Sequence, residues 1–337
     1  MSDHATIVRR GLLGVGALLV GGVLLMPLTS IDQVQSWGAP LLTDKLWFRI
    51  ATTVAMFVVL ASAWNIIGGM TGYAAFGNVA FFGVGAYTTS ILVERAHLPF
   101  AAALVAAPVV AAIFATMIGL PLLRLRGHYF AIATLGVSVA ISELVNNIEP
   151  LGGSTGLFLP IVCADILFFY LMAGAAFLAV GVSWLVLRSR FGYGLLAIRE
   201  NEEAASVIGV NTTLYKVAAF ALAAALTGIA GGIFAQWNVF INPENVFPVD
   251  YNIQMILMAV LGGSGTVLGP VVGAATLEGL VQAFASGGAL AVWSQVGLGV
   301  LLAVTVIFVP RGVLDFLGGQ SRLSIKYLRN SLRRTSV

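Results

Sequence analysis

Residues 100–123 run for twenty-four positions without a charged side chain. Coiled into an α-helix, such a stretch is about 36 Å long, enough to cross a bilayer whose hydrocarbon core is about 30 Å thick. Comparable runs recur along the chain, each followed by a short polar turn. Inside hydrocarbon the backbone has no water to bond to, so a crossing segment must satisfy its own N–H and C=O groups, as a helix does. Composition closes the argument. Only 9% of the 337 residues are charged and 59% are hydrophobic, whereas a soluble domain carries about 25% charge. So few charges cannot coat a water-facing surface. The expected fold class is all-α integral membrane.

About ten transmembrane helices are expected: 11–28, 46–68, 79–92, 100–123, 129–145, 161–187, 215–237, 251–261, 267–285 and 290–309, two of them (79–92 and 251–261) short. Residues 11–28 follow Arg9-Arg10 and could be a cleaved signal, but no small-x-small site follows Met26-Pro27, so a retained first span is expected. The organisation read from this pattern is a polar N-terminus (1–10), one polytopic membrane domain (11–310) and a basic tail (311–337).

Loop charge sets the orientation, because Lys and Arg collect on the cytoplasmic side. Ten alternating crossings that start inside place Arg9, Arg10, Arg124, Arg126, Arg188, Arg190, Arg199, Lys216 and the six basic residues of the tail inside, fourteen of seventeen. Only Lys45, Arg49 and Arg95 fall outside. Both termini are therefore expected in the cytoplasm. The net charge of +3 is accounted for by membrane orientation, with no need for nucleic acid as a partner. The 39 glycines suit close helix packing in lipid. The single cysteine, Cys163, excludes an intramolecular disulfide and reads as a packing residue.

Two glycine-rich interruptions occupy corresponding places in the two halves. One is 68–78, flanked by Asn65 and Asn78, and the other is 262–269. Paired broken helices of this kind point to a transport route between internal repeats, since irregular backbone at membrane depth is tolerated where it lines a cavity or is buried in protein. Asn78 reads equally well as a pathway-lining amide and as a cap for the helix after it.

One polar island stands apart. Residues 199–211 hold Arg199, Glu200, Glu202 and Glu203 within five positions, between long apolar segments. The stretch reads as a short helix through Glu203, Ala204 and Ala205, with Gly209 placed to end it. A short helix clamped between two spans is a lever.

Signs of an enzyme are thin. His4, His97 and His128 are scattered, none forms an i, i+4 metal pair, and there is no G-x-x-x-x-G-K-[ST] phosphate loop. Glu278 lies mid-span, where a carboxylate is either paired within the bundle or part of a pathway. Glu143 and Asp165 lie at span ends and read as interfacial.

Glu203-Ala204-Ala205-x-x-x-Gly209 resembles the E-A-A-x-x-x-G signature of ABC importer permeases, without the I-x-L-P that follows it in the longer form. The run from Ala197 through Gly209-Val210-Asn211 to Tyr215-Lys216 resembles more specifically the LivM-type permease of branched-chain amino acid importers. Four further stretches agree in order. They are 65–87 with Phe81-Phe82-Gly83-Val84-Gly85-Ala86-Tyr87, the run 123–132, Leu261-Gly262-Gly263-Ser264-Gly265-Thr266 with Gly269-Pro270 and Gly273-Ala274, and Pro310-Arg311-Gly312.

The resemblance implies an inverted-repeat permease bundle in the bacterial inner membrane. It implies a homologous second permease, two ATP-binding cassette subunits and a periplasmic solute-binding protein as partners, with membrane lipid around it. No cofactor is expected in this chain, because ATP and magnesium bind the partner ATPases. It marks about 195–211 as a coupling helix, with Arg199, Glu200, Glu202, Glu203, Ala204, Ala205 and Gly209 contacting the ATPase. Translocation-pathway residues would be Gly72, Asn78, Phe81, Gly85, Gly262, Gly263, Gly265 and Glu278. Where the family carries a Ser-x-Gly-His-like run, this chain has Ala75-Phe76-Gly77-Asn78. Relatives for urea, short amides or aromatic acids share most of the motifs, so the solute stays open. The rivals are an ion-coupled secondary transporter, which needs a coupling site beyond Glu278, and an intramembrane enzyme, for which no catalytic set assembles.

Overall fold

The computed structural model describes residues 45–161 and 165–286, which hold eleven α-helices, one π-helical and two 3-10 turns, and one pair of two-residue strands. The expected first span, Cys163, the last span at 290–309, the Pro310-Arg311-Gly312 element and the tail lie outside them.

The first described helix, α1 (Lys45–Trp64), runs into one π-helical turn at Asn65–Gly69. Residues 72–78 then leave the helix and return into α2 (Val79–Glu94). The bundle continues with α3 (Phe100–Leu122), α4 (His128–Asn147) and α5 (Asp165–Arg188). Two short helices follow, α6 (Arg190–Glu200) and α7 (Glu202–Val207). The rest is α8 (Thr212–Asn238), the single turn α9 (Pro243–Val246), α10 (Val249–Gly262) and α11 (Gly269–Ser286). Strands β1 (Leu157–Phe158) and β2 (Phe240–Ile241) pair antiparallel.

Five of the described helices are long and apolar enough to cross a membrane: Phe48–Gly69, Phe100–Leu122, His128–Asn147, Asp165–Arg188 and Thr212–Asn238. Their bounds fall within a few residues of the expected spans, because hydropathy dictates where such a helix can stop. The shorter α2, α10 and α11 cover the expected short and second-half segments.

The core is built around α8, which packs against α1, α2 and α3. Small residues make this possible. A Cβ on Gly85 of α2 would stand 2.2 Å from the Gly228 carbonyl of α8, and one on Gly231 of α8 would stand 2.0 Å from the Phe82 carbonyl of α2. On α3 the buried residues Ala103, Ala107, Ala111, Ala115 and Gly119 repeat every four positions, a narrow stripe that lets α8 approach closely. The opposite face of α3 exposes Val105, Val109, Ile113 and Met117, as suits a helix surrounded by apolar matter.

The ends of the bundle differ. One carries α6, α7, the 72–78 loop, the turn after α3 and the α10–α11 turn, while the strand pair and α9 cap the other.

Candidate functional site

The polar island is not one helix. It is two, hinged at Asn201, whose backbone is extended at φ −162° and ψ 111°. The first, α6, is eleven residues long and ends at Glu200, so it begins well upstream of the expected start. Side-chain caps explain the break. Ser189 Oγ accepts from Gly192 N at 3.2 Å to start α6, Asn201 Oδ1 accepts from Ala204 N at 3.0 Å to start α7, and Asn211 Oδ1 accepts from Leu214 N at 3.1 Å to start α8. Each satisfies an N–H that a helix start leaves without an intrahelical partner. The expected end at Gly209 is observed. With φ +91° it turns the chain left-handed, and the Val210 N–H reaches the Ala205 carbonyl at 3.0 Å.

All four charges of the island were expected at the partner surface, but the structure divides them. Glu200 and Glu203 are exposed, Glu203 forming a surface ion pair with Arg126 at 3.0 Å, and Val207 and Ile208 extend the same outer face at 86% and 75% exposure. Arg199, although itself exposed, and the half-buried Glu202 bond inward. Arg199 Nη1 donates to the Gly69 carbonyl at 2.8 Å. Glu202 accepts from Lys216 Nζ at 2.7 Å and from the Tyr73 hydroxyl. Ala204 is exposed and Ala205 is buried at the base of α7.

Lys216 is the deepest cation of the group, 3% exposed in the first turns of α8. Its Nζ also donates to the Leu123 carbonyl and the Tyr73 hydroxyl, both at 3.1 Å, and lies 4.6 Å from the Tyr73 ring. Three donated bonds use the full capacity of an ammonium, which makes burial of the charge tolerable. Burial pushes the Glu202 carboxyl up, but the hydrogen bonds from Lys216 and Tyr73 and the charges of Lys216 and Arg126 outweigh it, so the group titrates below the ordinary carboxylate value. Burial first, and the bond to Glu202 second, hold the Tyr73 phenol well above its ordinary range. It therefore stays protonated and donates.

The two glycine-rich interruptions meet beneath α6. Asn65 Oδ1 accepts from Gly265 N at 2.7 Å, and Asn65 Nδ2 donates to the Thr266 carbonyl at 2.8 Å. A Cβ on Gly69 would stand 2.6 Å from Gly265 N, and one on Gly265 would stand 2.4 Å from Arg199 Nη1. Glycine at both positions is what lets the two halves and Arg199 share one point. The 72–78 loop is pinned along its length. Trp64 Nε1 donates to the Ala75 carbonyl at 2.7 Å, Phe76 N to Thr134 Oγ1 at 3.0 Å, and Val79 N to Asn252 Oδ1 at 2.9 Å.

The remaining expected pathway residues scatter. Gly72, at φ +76°, lies beside Arg199, and Gly263, at φ +121°, shapes the α10–α11 turn. Gly85 and Gly262 are close-approach glycines, against Gly228 and Gly269. Phe81 is buried in edge-to-face contact with Phe220, centroids 5.0 Å apart. Asn78 precedes α2 but makes no side-chain cap. Its amide is buried with both polar atoms unbonded, and Asn252 of α10 holds the Val79 N–H instead. Glu278 is 3% exposed on α11 and is engaged, within electrostatic reach of Tyr251. Glu143 and Asp165 are exposed at helix ends, as expected.

Between the 72–76 loop, the turn at Arg126-Gly127 and the α6–α7 hinge opens a groove of about 530 Å³, lined in part by Tyr73, Phe76, Asn201 and Glu203. No bonding role was expected for Tyr73 or Asn252, Lys216 entered as a loop charge and as the end of the run that resembles the LivM type, and Asn65 was left as a flank. No local spacing signals these partners, because Glu202 and Lys216 are 14 positions apart and Asn65 and Gly265 are 200 apart.

Comparison with known proteins shows what the chain is similar to in sequence. Residues 46–309 match the family model described as "Branched-chain amino acid transport system / permease component". The high-affinity branched-chain amino acid transport system permease LivM of Salmonella typhimurium is 29% identical over 322 residues, covering 84% of this chain and 73% of the relative. LivH of the same organism is 22% identical over 293 residues, covering 79% of this chain and 94% of the relative. The autoinducer 2 import system permease LsrC of Salmonella paratyphi B is 33% identical over 103 residues, 29% of either chain.

Proposed function

The chain belongs to the branched-chain amino acid transport system permease family, and from that membership we propose that it is the membrane-spanning subunit of an ATP-driven, binding-protein-dependent importer for leucine, isoleucine and valine. The observation that carries the reading is the α6–α7 pair, a polar two-helix element presenting Glu200, Glu203, Val207 and Ile208 outward between α5 and α8. A partner ATPase that closes on ATP pushes this element, and α5 and α8 rock with it.

The assembly in this reading holds a second, homologous permease, two ATP-binding subunits and a periplasmic binding protein. Similarity to both LivM and LivH supports a pair of related permeases. ATP and magnesium sit in the ATPases, and this chain performs no chemistry of its own. It lies in the inner membrane with about ten crossings, α6 and α7 on the cytoplasmic side and both termini there. Arg126, Arg199 and Lys216, all at the α6–α7 end, fit that orientation. The contact between the two glycine-rich breaks supports an internal repeat within one polytopic domain, 11–310, followed by the cytoplasmic tail, 311–337.

A second reading keeps the machine and changes the cargo, since a relative over part of the chain is an autoinducer 2 import permease. Urea and short amides are further candidates, because permeases for them share most of the motifs named above. Liposomes containing the whole assembly, given ATP and a panel of these solutes with their binding proteins, separate the readings. Leucine-stimulated ATP hydrolysis and uptake is the expected result. Uptake by the chain alone without ATP would reopen the secondary-transporter reading.

A further inference from the structure

We propose that Lys216, Glu202, Tyr73 and Arg199 form a transmission joint, distinct from the docking face, that carries motion of α7 into the junction of the two glycine-rich breaks. The inference rests on the importer reading above and assigns roles within it. Contact with an ATPase needs outward groups, and α7 offers Glu203, Val207 and Ile208. Transmission needs inward, rigid ones.

The inward groups join four elements at one ammonium. Lys216 belongs to α8, Glu202 to α7, Tyr73 to the 72–78 loop, and the Leu123 carbonyl to the end of α3. Distances of 2.7 to 3.1 Å leave no slack. A shift of α7 that keeps these bonds must move the loop and α8 together. One that breaks them leaves a buried ammonium short of acceptors, which is costly. The joint therefore behaves as a rigid body.

Two routes lead inward from it. The Tyr73 ring packs edge-to-face on Phe130, and Phe130 on Phe220, which ties the loop to α4 and α8. Arg199, next to the Asn201 hinge, holds the Gly69 carbonyl where Gly69 and Gly265 touch. The role assigned to them is a positioning one, acting through the groups they hold.

The test uses the assembled importer in liposomes and reads solute moved per ATP hydrolysed, a ratio that loss of folded protein does not change. The double variant Glu202→Gln/Lys216→Met removes both charges at once and leaves no lone buried ion. Its ratio is expected to fall about tenfold, and Lys216→Arg, which keeps the charge, is expected to stay nearer to wild type than the double variant. Tyr73→Phe deletes one oxygen and no packing, so it decides the matter even where the double variant does not assemble. Its ratio is expected to fall about threefold. A wild-type ratio in Tyr73→Phe, or in an assembled double variant, overturns the joint. Failure of the importer reading looks different, because the wild-type assembly itself would then show no ATP-linked uptake.

Discussion

Gly265 donates its backbone N–H to the side-chain oxygen of Asn65 across 200 positions of sequence, at 2.7 Å. The bond joins a break in the first half of the chain to a break in the second, and Asn65 returns a second bond to Thr266 at 2.8 Å. One buried amide thus closes two turns that would otherwise leave backbone groups unpaired.

Asn65→Ala removes both bonds and buries an orphan N–H and C=O. The expected cost is about 2–4 kcal/mol, seen as a thermal midpoint several degrees lower in detergent. An unchanged midpoint would mean that the two breaks do not depend on each other.

Helix contacts give a second expectation. Gly85→Ala places a methyl 2.2 Å from the Gly228 carbonyl, which is backbone and cannot swing away. Separating α2 from α8 is expected to cost about 1–3 kcal/mol. Gly136→Ala on α4 meets nothing within 4 Å and should cost nothing. Equal behaviour of the two variants in thermal unfolding would contradict the packing described.

The same physics decides what the sequence disclosed. Span positions were legible because hydrocarbon length and helix rise leave little choice, and α3 ends within one residue of expectation. The stop at Gly209 was legible because a left-handed C-terminus favours glycine. The hinge at Asn201 was missed although Asn is a favoured N-cap and two acidic residues follow it; helix formers on both sides masked a break that rests on one residue and its bond to Ala204 N. Asn78 was readable as a cap, but Asn252, 173 positions from Val79, holds that N–H. The inward turn of Glu202 depends on a lysine in another helix, and no periodicity reports such a pairing.

Gly209 gives a third expectation. A valine there must adopt φ near +91° with a branched side chain, although the surrounding space is open. Gly209→Val is expected to leave the bundle folded, at a local cost of about 1–2 kcal/mol, while transport is lost and ATP hydrolysis by the assembly continues. Wild-type transport by this variant would contradict the lever role of α7.

Acid supplies a fourth. Glu202 titrates below the ordinary carboxylate value in the fold. Its contribution is therefore fully present above about pH 4, the unfolded carboxylate value, and lost as pH falls through the lower folded value. Wild type should exceed Glu202→Gln in stability by about 3 kcal/mol at neutral pH. The gap should hold down to about pH 5 and narrow progressively below about pH 4. Thermal unfolding across that range measures it, and a gap that widens on acidification would mean that the fold raises the Glu202 carboxyl instead of lowering it.

The most direct measurement is a photo-cross-linker in place of Ile208, the C-cap of α7, whose side chain is 75% exposed. In membranes containing the assembled importer, the account predicts an adduct with the ATP-binding subunit whose yield changes when ATP is trapped. A linker in place of Val105, on the apolar outer face of α3, should give none. Absence of the Ile208 adduct in membranes that still take up leucine at the expense of ATP would contradict α7 as the contact through which ATP hydrolysis moves this chain.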